Sequence, residues 1–184
     1  KAWNKTELND IKDVLIYRKK AGVATTDRTN TATLLSSEVS ELVATIPADG
    51  KEGQKMEWTD SNPTDGINTY YVLATNAAGE KGVLDSVRCF VGEDVPGAVS
   101  NIQLKKNGEG VVVSWTAPNK GVNNGYINED NLKYTLVRMP DNKVVAKDIT
   151  GTTFDDQTLG EQQKYYYVIQ VSNTKGVGAK VESD

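Results

Sequence analysis

Apolar and polar residues alternate through most of the second half of the chain, which is the pattern of half-buried β-strands. The segments 111–115 and 165–171 are the clearest examples, with valine, isoleucine, tryptophan or tyrosine at every second position. Turn-forming sequences such as Asn107-Gly108 separate these segments, and no stretch shows a convincing helical period. Seven short strands are predicted between 95 and 184, and together they indicate an all-β sandwich.

The longest strand of the second half has a counterpart 97 positions earlier. Tyr70–Gly79 and Tyr167–Gly176 are both alternating segments that end in an Asn-x-x-Gly turn. A repeat at this spacing in a chain of 184 residues predicts one β fold used twice, with domains at 1–94 and 95–184.

The first half matches the second only in part. The segment 13–19 corresponds to the third strand of the second half, and 56–60 corresponds to 152–156. The residues between these two segments outnumber those in the second half, which predicts an insertion at about 21–55. Leu35, Val39 and Leu42 fit helical spacing, with Ser36 or Ser37 as the cap, whereas 42–46 equally fits a strand. The insertion is either a decorated surface loop or a recognition loop.

Charge and composition narrow the function classes. The net charge is −4; residues 1–94 carry 11 basic and 15 acidic side chains, and residues 95–184 carry 10 of each. Neither half has a basic stripe, so we expect no nucleic-acid binding. No apolar run is long enough to span a bilayer. Cys89 is the only cysteine, so no intrachain disulfide can form, and we expect a buried, inert thiol.

Candidate catalytic and metal-binding groups are few. Histidine is absent, which removes the commonest general base and metal ligand. Asp155 and Asp156 are adjacent in a strand, point to opposite faces and cannot share a proton. Glu129-Asp130 is flanked by asparagines, but this oxygen cluster matches no known calcium loop and is more typical of a solvated turn. The sequence therefore predicts a chain that is not an enzyme and binds no cofactor.

The second half also carries an ordered set of motifs: Pro96-Gly97, Val113-Ser114-Trp115-Thr116-x-Pro118, Leu159 six residues before Tyr165, and Asn173-x-x-Gly176. In order and spacing this set resembles the fibronectin type III domain across 95–184. The resemblance implies that Trp115 fills the core between two sheets. It also implies that Tyr165, with Leu159, is the corner tyrosine whose hydroxyl ties back to nearby backbone. The first half departs from this pattern, because Asn68 occupies the corner position.

Strand phase and the resemblance together predict a structural core for both halves. Trp58 is in phase with Met56 and is therefore placed inward. The predicted core residues are Trp115, Tyr134, Leu136, Leu159, Tyr165, Tyr167, Ile169, Trp58, Tyr70 and Val72.

The resemblance further implies that the first domain is incomplete. If 13–19 is its third strand, its first two strands and its core tryptophan would lie before Lys1, and Trp3 would fall in a connecting loop. Such a domain exposes an apolar face and an unpaired edge, so strand complementation by a neighbouring chain is possible. Three explanations stay open: a shortened polypeptide, a cleaved or invisible segment, or strands from a neighbouring molecule.

No signal peptide is visible, so the chain is interpreted as a piece of a longer protein. Its Tyr-Tyr-Val-x-Ala-x-Asn-Ala-Ala-Gly strand is similar to modules of bacterial exported proteins. We therefore expect an extracellular or cell-surface spacer and scaffold for adhesion or protein–protein contact, whose partner is a protein or glycan at the cell surface. The alternative is an accessory region of a secreted hydrolase that positions substrate or carbohydrate.

Overall fold

The computed structural model describes residues 11–25, 29–48, 53, 55–160 and 163–184. Almost all regular structure in these residues is antiparallel β-sheet, so the predicted all-β fold class is confirmed. The chain divides into two compact units, Lys1–Cys89 (unit 1) and Phe90–Asp184 (unit 2). The division falls before the predicted boundary at 94/95, and the contacts of Asp94 described below explain why the connecting residues belong to unit 2.

Unit 2 is a sandwich of two antiparallel sheets, with the strand order of an immunoglobulin-like domain. The four-stranded sheet has the order β11-β10-β7-β8, and the three-stranded sheet has the order β5-β6-β9. A 3₁₀ turn, Glu129–Asn131, precedes β7. The strands are β5 (Ser100–Asn107), β6 (Gly110–Thr116), β7 (Lys133–Met139), β8 (Lys143–Ile149), β9 (Thr153–Asp156), β10 (Tyr166–Asn173) and β11 (Gly176–Glu182).

The core of unit 2 lies between the facing sheets and follows from the alternation. Leu136 pairs with Ile169 across β7 and β10, and both side chains are 0% exposed. From the opposite sheet, the Trp115 ring meets the Tyr134 ring edge to face, with 5.2 Å between the ring centroids. The alternating residues of both sheets therefore seal one continuous hydrophobic core.

The described residues of unit 1 form a single four-stranded antiparallel sheet of order β2-β1-β3-β4. This sheet corresponds to the four-stranded sheet of unit 2. Ile16 pairs with Val72, and Tyr17 pairs with Tyr71 on the opposite face. The strands are β1 (Ile11–Lys19), β2 (Ser40–Pro47), β3 (Gly66–Asn76) and β4 (Asp85–Val91).

The insertion contains one short helix and one strand. Helix α1 (Thr31–Leu34) begins after Asn30, whose side-chain oxygen accepts a hydrogen bond from the Thr33 N–H at 3.3 Å. The helical interpretation of 35–42 is wrong, because the helix ends at Leu34 and β2 occupies 40–47. The β-branched residues of 43–46 favour pairing with β1, where Ile46 lies opposite Val14.

The segment 55–60 of unit 1 alternates between exposed and partly buried residues, as an extended strand does. Its counterpart in unit 2 is β9, which pairs with β6. Among the described residues, 55–60 has no ladder partner.

The prediction of a buried Cys89 is wrong, because the thiol is exposed. Cys89 lies on β4, at the end of the sheet order, and the described part of unit 1 contains no second sheet to cover it.

Candidate functional site

A buried charged cluster joins the two sheets of unit 2. Arg138 of β7 donates from Nη1 to Asp156 Oδ2 of β9 at 2.8 Å, and the Tyr167 hydroxyl of β10 donates to the same oxygen at 3.0 Å. Arg138 also donates from Nη2 to Asp141 Oδ2 at 2.6 Å. Arg138 is 3% exposed and Asp156 is 1% exposed, so the buried charges neutralise each other. We call this set the Arg–Asp–Tyr triad.

Unit 1 contains the same triad. Arg18 Nη1 donates to Asp60 Oδ2 at 2.8 Å, and the Tyr70 hydroxyl donates to the same oxygen at 2.7 Å. Glu41 takes the place of Asp141, with its Oε1 2.8 Å from Arg18 Nη2. The Asn62 carbonyl accepts a further hydrogen bond from Arg18 Nη1 at 2.6 Å. The triad therefore fixes Asp60 to the sheet although the segment 55–60 has no strand partner among the described residues.

The triads shift the pKa values of their members in the same direction in both units. In unit 2, burial alone would raise the pKa of Asp156, but hydrogen bonds from Thr158, Arg138 and Tyr167 outweigh it and lower that pKa. In unit 1, the Tyr70 hydroxyl chiefly lowers the pKa of Asp60, with help from Arg18. Burial and the Asp60 carboxylate together raise the pKa of Tyr70 to about 12. Both carboxylates are therefore ionised at neutral pH and serve as structural acceptors.

Different residues occupy the corner position of the two units and make its contact with nearby backbone. The Tyr165 hydroxyl accepts the Gly160 N–H at 3.2 Å, which is the tie that the resemblance implies. Asn68 is 2% exposed, and its amide makes a denser tie in unit 1. It donates to the carbonyls of Thr64 at 2.6 Å and Gly66 at 3.1 Å, and its Oδ1 accepts from the N–H and hydroxyl of Thr64. Asn68 therefore supplies in unit 1 the corner contact that tyrosine supplies in unit 2.

The segment that enters unit 2 is held by a buried carboxylate. Asp94 is 1% exposed, and its two oxygens accept four hydrogen bonds. Oδ1 accepts from the Val95 N–H at 2.8 Å and from Asn123 Nδ2 at 3.0 Å. Oδ2 accepts from the backbone N–H groups of Asn123 at 2.8 Å and Gly125 at 3.2 Å. We call Asp94 and the loop 121–125 the linker clamp.

Close packing and a lowered pKa both follow from this arrangement. A Cβ on Gly121 would lie 2.2 Å from Asp94 Oδ2, so glycine is required where the loop meets the carboxylate. Burial alone would raise the pKa of Asp94, but the hydrogen bonds from Asn123, Gly125 and Val95 outweigh it and lower that pKa. The clamp therefore holds an ionised carboxylate with N–H groups and needs no partner cation.

Two further contacts anchor the residues beside Asp94. Asn173 Nδ2 donates to the Asp94 carbonyl at 2.8 Å and to Glu93 Oε1 at 3.3 Å. Glu93 also forms a parallel bridge with Tyr126. Because β4 ends at Val91, only Gly92 lies between that strand and the anchored residues. Gly92 is therefore the one residue between the end of β4 and the anchored residues Glu93 and Asp94.

The predicted core residues occupy two classes of position. Six are buried: Trp115, Tyr134, Leu136, Tyr167, Ile169 and Tyr70. Four are partly buried: Leu159, Tyr165, Trp58 and Val72. Trp58 meets Tyr70 edge to face at 6.0 Å between centroids, and the Arg138 guanidinium lies over the Tyr165 ring at 5.1 Å. Trp3 lies outside the described residues.

The groups considered for catalysis or metal binding have structural partners. Asp156 belongs to the triad, whereas the exposed Asp155 accepts from Asn107 Nδ2 at 2.7 Å. Asn128 Oδ1 accepts the Asp130 N–H and begins the 3₁₀ turn, as expected for a solvated turn. In the residues that the structure covers, no three acidic or cysteine side chains form a metal-binding group. No helix in that part of the chain is long and apolar enough to cross a membrane.

The roles of Asp94, Asn68 and the two triads were not predicted from the sequence. One signal could have revealed the triads, because Arg18, Asp60 and Tyr70 occupy positions equivalent to Arg138, Asp156 and Tyr167 when the two halves are aligned. No sequence pattern distinguishes Asp94 from the neighbouring acidic residues, since its role depends on a loop 27 to 31 residues away.

No protein-family model matches the chain, and no curated protein matches it. Similar solved structures include the FN1–FN3 domains of chicken CNTN1, with 13% identity and a TM-score of 0.36, where the match covers 95% of this chain and 55% of that one. Domains d3–d4 of rat CD45 show 12% identity and a TM-score of 0.41, covering 89% and 98%. Domains A168–A170 of titin show 14% identity and a TM-score of 0.41, covering 93% and 53%. The chain spans about half the length of the CNTN1 and titin fragments, and the fold assignment above rests on the strand order of the chain itself.

Proposed function

We propose that the chain is a non-catalytic pair of extracellular modules from a bacterial surface protein, which acts as a spacer and as a scaffold for adhesion or protein–protein contact. The linker clamp is the observation that carries this proposal. A flexible tether would leave the connecting residues solvated, whereas here Glu93 and Asp94 are bonded into unit 2. A spacer transmits position only if its modules cannot turn independently, and a short anchored connection limits that motion.

The use of the buried ionisable groups also supports a structural role. Arg138, Asp156 and Asp94 are each at most 3% exposed, and all three are saturated with internal hydrogen bonds. A catalytic acid or base needs a proton that it can exchange with a substrate at the working pH. These groups are instead locked in their charged forms, which suits a rigid module.

The spacer function predicts that both units tumble together. We expect nearly equal rotational correlation times for the two units in ¹⁵N relaxation measurements on the whole chain. Insertion of four Gly-Ser residues after Gly92 should separate the two correlation times, because the connection then becomes a flexible coil. Asp94→Ala should separate them partly, since it removes four hydrogen bonds from the connecting segment.

Asp130→Ala provides the matched control, because Asp130 is an exposed aspartate of the same unit. It should leave both correlation times unchanged. Independent tumbling of the units in the unmodified chain would contradict the spacer function, even if both units were fully folded.

A further inference from the structure

Unit 1 contains a cavity of about 440 Å³ on the face of its sheet that carries Tyr71. Four parts of the unit form its walls: the end of β1 with the turn that follows it, α1, β3 and β4. Leu34 of α1 and Tyr71 of β3 give an apolar floor, at 3% and 6% exposure. Lys20 Nζ donates to the Ser37 carbonyl at 2.5 Å and ties the β1 turn to the segment after α1. The insertion therefore builds one wall of this cavity.

Among the described residues, the polar groups that line the cavity are all cationic or neutral. Lys19, Lys20 and Arg88 line it, and no carboxylate does so among the described lining residues. None of the three forms a salt bridge with a described acidic residue, in contrast to Arg18, which is paired with both Glu41 and Asp60. Hydroxyl groups complete the lining, from Thr25, Thr69 and Ser86.

The cavity is lined by three positive charges, whereas the net charge of the whole chain is −4. A cleft lined by charges of one sign concentrates the electric field and raises the local concentration of counter-ions. All three cationic residues line one cavity of about 440 Å³, and so compact a site suits a small anion better than the extended backbone of a nucleic-acid strand. The site therefore suits a small anion, and its volume leaves room for a ligand larger than the anionic group alone.

We propose that this cavity binds an acidic sugar, in which a carboxylate is carried on a polyhydroxylated ring. The Arg88 guanidinium can take a carboxylate through two parallel hydrogen bonds, and Lys19 and Lys20 add point charges. The hydroxyls of Thr69 and Ser86 are suited to the ring hydroxyls, and Ile67, which lines the cavity and is 47% exposed, offers an apolar surface to the ring carbons. A cavity of this volume lies within the range of small-ligand sites, about 300–1,000 Å³. The proposal goes beyond the spacer function and does not depend on it.

The experiment is a titration of the whole ¹⁵N-labelled chain with methyl β-glucuronide, compared with methyl β-glucoside as the neutral analogue. Glucuronide should shift the amide resonances of 19–25, 67–71 and 86–88, and glucoside should leave them in place. Arg88→Gln and Lys19→Gln should each weaken glucuronide binding about tenfold, because each removes one charge-assisted contact. Raising the salt from about 0.1 M to about 1 M should also weaken it, since the screening length falls from about 10 Å to about 3 Å.

Lys12→Gln is the matched control, because Lys12 is an exposed lysine near the opposite end of β1. It should leave glucuronide affinity unchanged, and unchanged spectra away from the substitutions should show that each variant is folded. Sodium sulfate tests the remaining outcome: equal affinity for sulfate and glucuronide would identify an adventitious ion only and overturn the proposal. Equal shifts with glucoside, no shifts with glucuronide, or an equal loss in Lys12→Gln would overturn it as well. Independent tumbling of the units would leave this proposal untouched.

Discussion

The two units place the same Arg–Asp–Tyr triad in different surroundings. In unit 2 the triad lies between two sheets, and the side chains of Arg138 and Asp156 are 3% and 1% exposed. In unit 1 the side chains of Arg18 and Asp60 are both 14% exposed. The bond from guanidinium to carboxylate is 2.8 Å in each unit. The triad therefore has the same geometry in both units, although Asp156 lies on the paired strand β9 and Asp60 in a segment that has no ladder partner among the described residues.

The apolar face beside the triad shows the difference more clearly. Tyr134 and Ile169 of unit 2 are 1% and 0% exposed, because the sheet β5-β6-β9 covers them. Val14 and Val72 of unit 1 lie on the corresponding face and are only partly buried. Among the described residues, therefore, the apolar face is more fully buried in unit 2 than in unit 1, and β9 has a ladder partner that the segment 55–60 lacks. Pairing of this face with a strand from a neighbouring chain stays a prediction.

The largest expected difference between the units concerns loss of the triad carboxylate. Asp156→Ala leaves Arg138 deeply buried with Asp141 as its one described carboxylate partner, and should cost unit 2 about 3–5 kcal/mol of unfolding free energy. Asp60→Ala should cost unit 1 only about 1–2 kcal/mol, because Arg18 is more exposed and keeps Glu41. Urea denaturation followed by the separate NMR resonances of each unit measures both values.

Two substitutions provide controls for this comparison. Asp155→Ala removes an exposed aspartate next to Asp156, and Glu57→Ala breaks the exposed pair of Glu57 with Lys55. Each should change stability by less than about 1 kcal/mol. An equal cost for Asp156→Ala and Asp60→Ala would show that burial by the second sheet does not decide the energy of the triad.

Much of the fold follows from sequence because it depends on local alternation and repetition. The period-two pattern places the long strands β3 and β10, and their shared Asn-x-x-Gly turn reveals the tandem organisation. Features that depend on distant partners could not be predicted. Cys89 has the sequence context of a strand residue, but its exposure depends on whether another sheet covers it. Asp94 likewise depends on the loop at 121–125.

The candidate sites were hidden for a related reason. The corner position of unit 1 holds Asn68, whose short amide makes contacts that the family pattern assigns to a tyrosine hydroxyl. A comparison of residue types scores this position as a mismatch, although the contact is kept. The cavity in unit 1 depends on how α1 and the turn at 20–23 approach the sheet. Such packing of an insertion leaves no periodic signal.

The corner residues give the second prediction. Asn68→Ala removes a buried amide and leaves the Thr64 N–H and the carbonyls of Thr64 and Gly66 without their partner. We expect a loss of about 2–3 kcal/mol in unit 1. Tyr165→Phe removes only the hydroxyl that accepts from Gly160 and keeps the ring beside Arg138, so unit 2 should lose about 0.5–1.5 kcal/mol. Chemical denaturation of each variant, monitored unit by unit, gives the two values.

The order of these two losses is the informative result. A larger loss for Tyr165→Phe than for Asn68→Ala would mean that the tyrosine contact is the stronger tie, and that asparagine is an inferior substitute. Thr64→Val provides an independent check, because it removes the hydroxyl donor to Asn68 and keeps the backbone bonds. It should cost less than Asn68→Ala.

The smallest expected difference is in the response to acid. A carboxylate whose folded pKa is lowered contributes its full stabilisation above its unfolded pKa, about 3.9, and loses it as the pH falls through the folded pKa. Unit 2 has two such buried carboxylates, Asp94 and Asp156, whereas Asp60 is the corresponding group described in unit 1. Each can change the unfolding free energy by at most about 1.4 kcal/mol per pH unit.

Between pH 7 and pH 5 both units should therefore keep nearly constant stability, because the carboxylates are ionised in the folded and unfolded states alike. Below about pH 4 the stability of unit 2 should fall more steeply than that of unit 1. Urea midpoints measured unit by unit from pH 7 to pH 2.5 test this. Asp94→Asn should lower the stability of unit 2 at pH 7 and reduce its slope in acid, since asparagine does not titrate there. Equal slopes for the two units would mean that the buried carboxylates of unit 2 are not stabilised in their ionised form, and that the N–H groups around Asp94 contribute packing without favouring its charge.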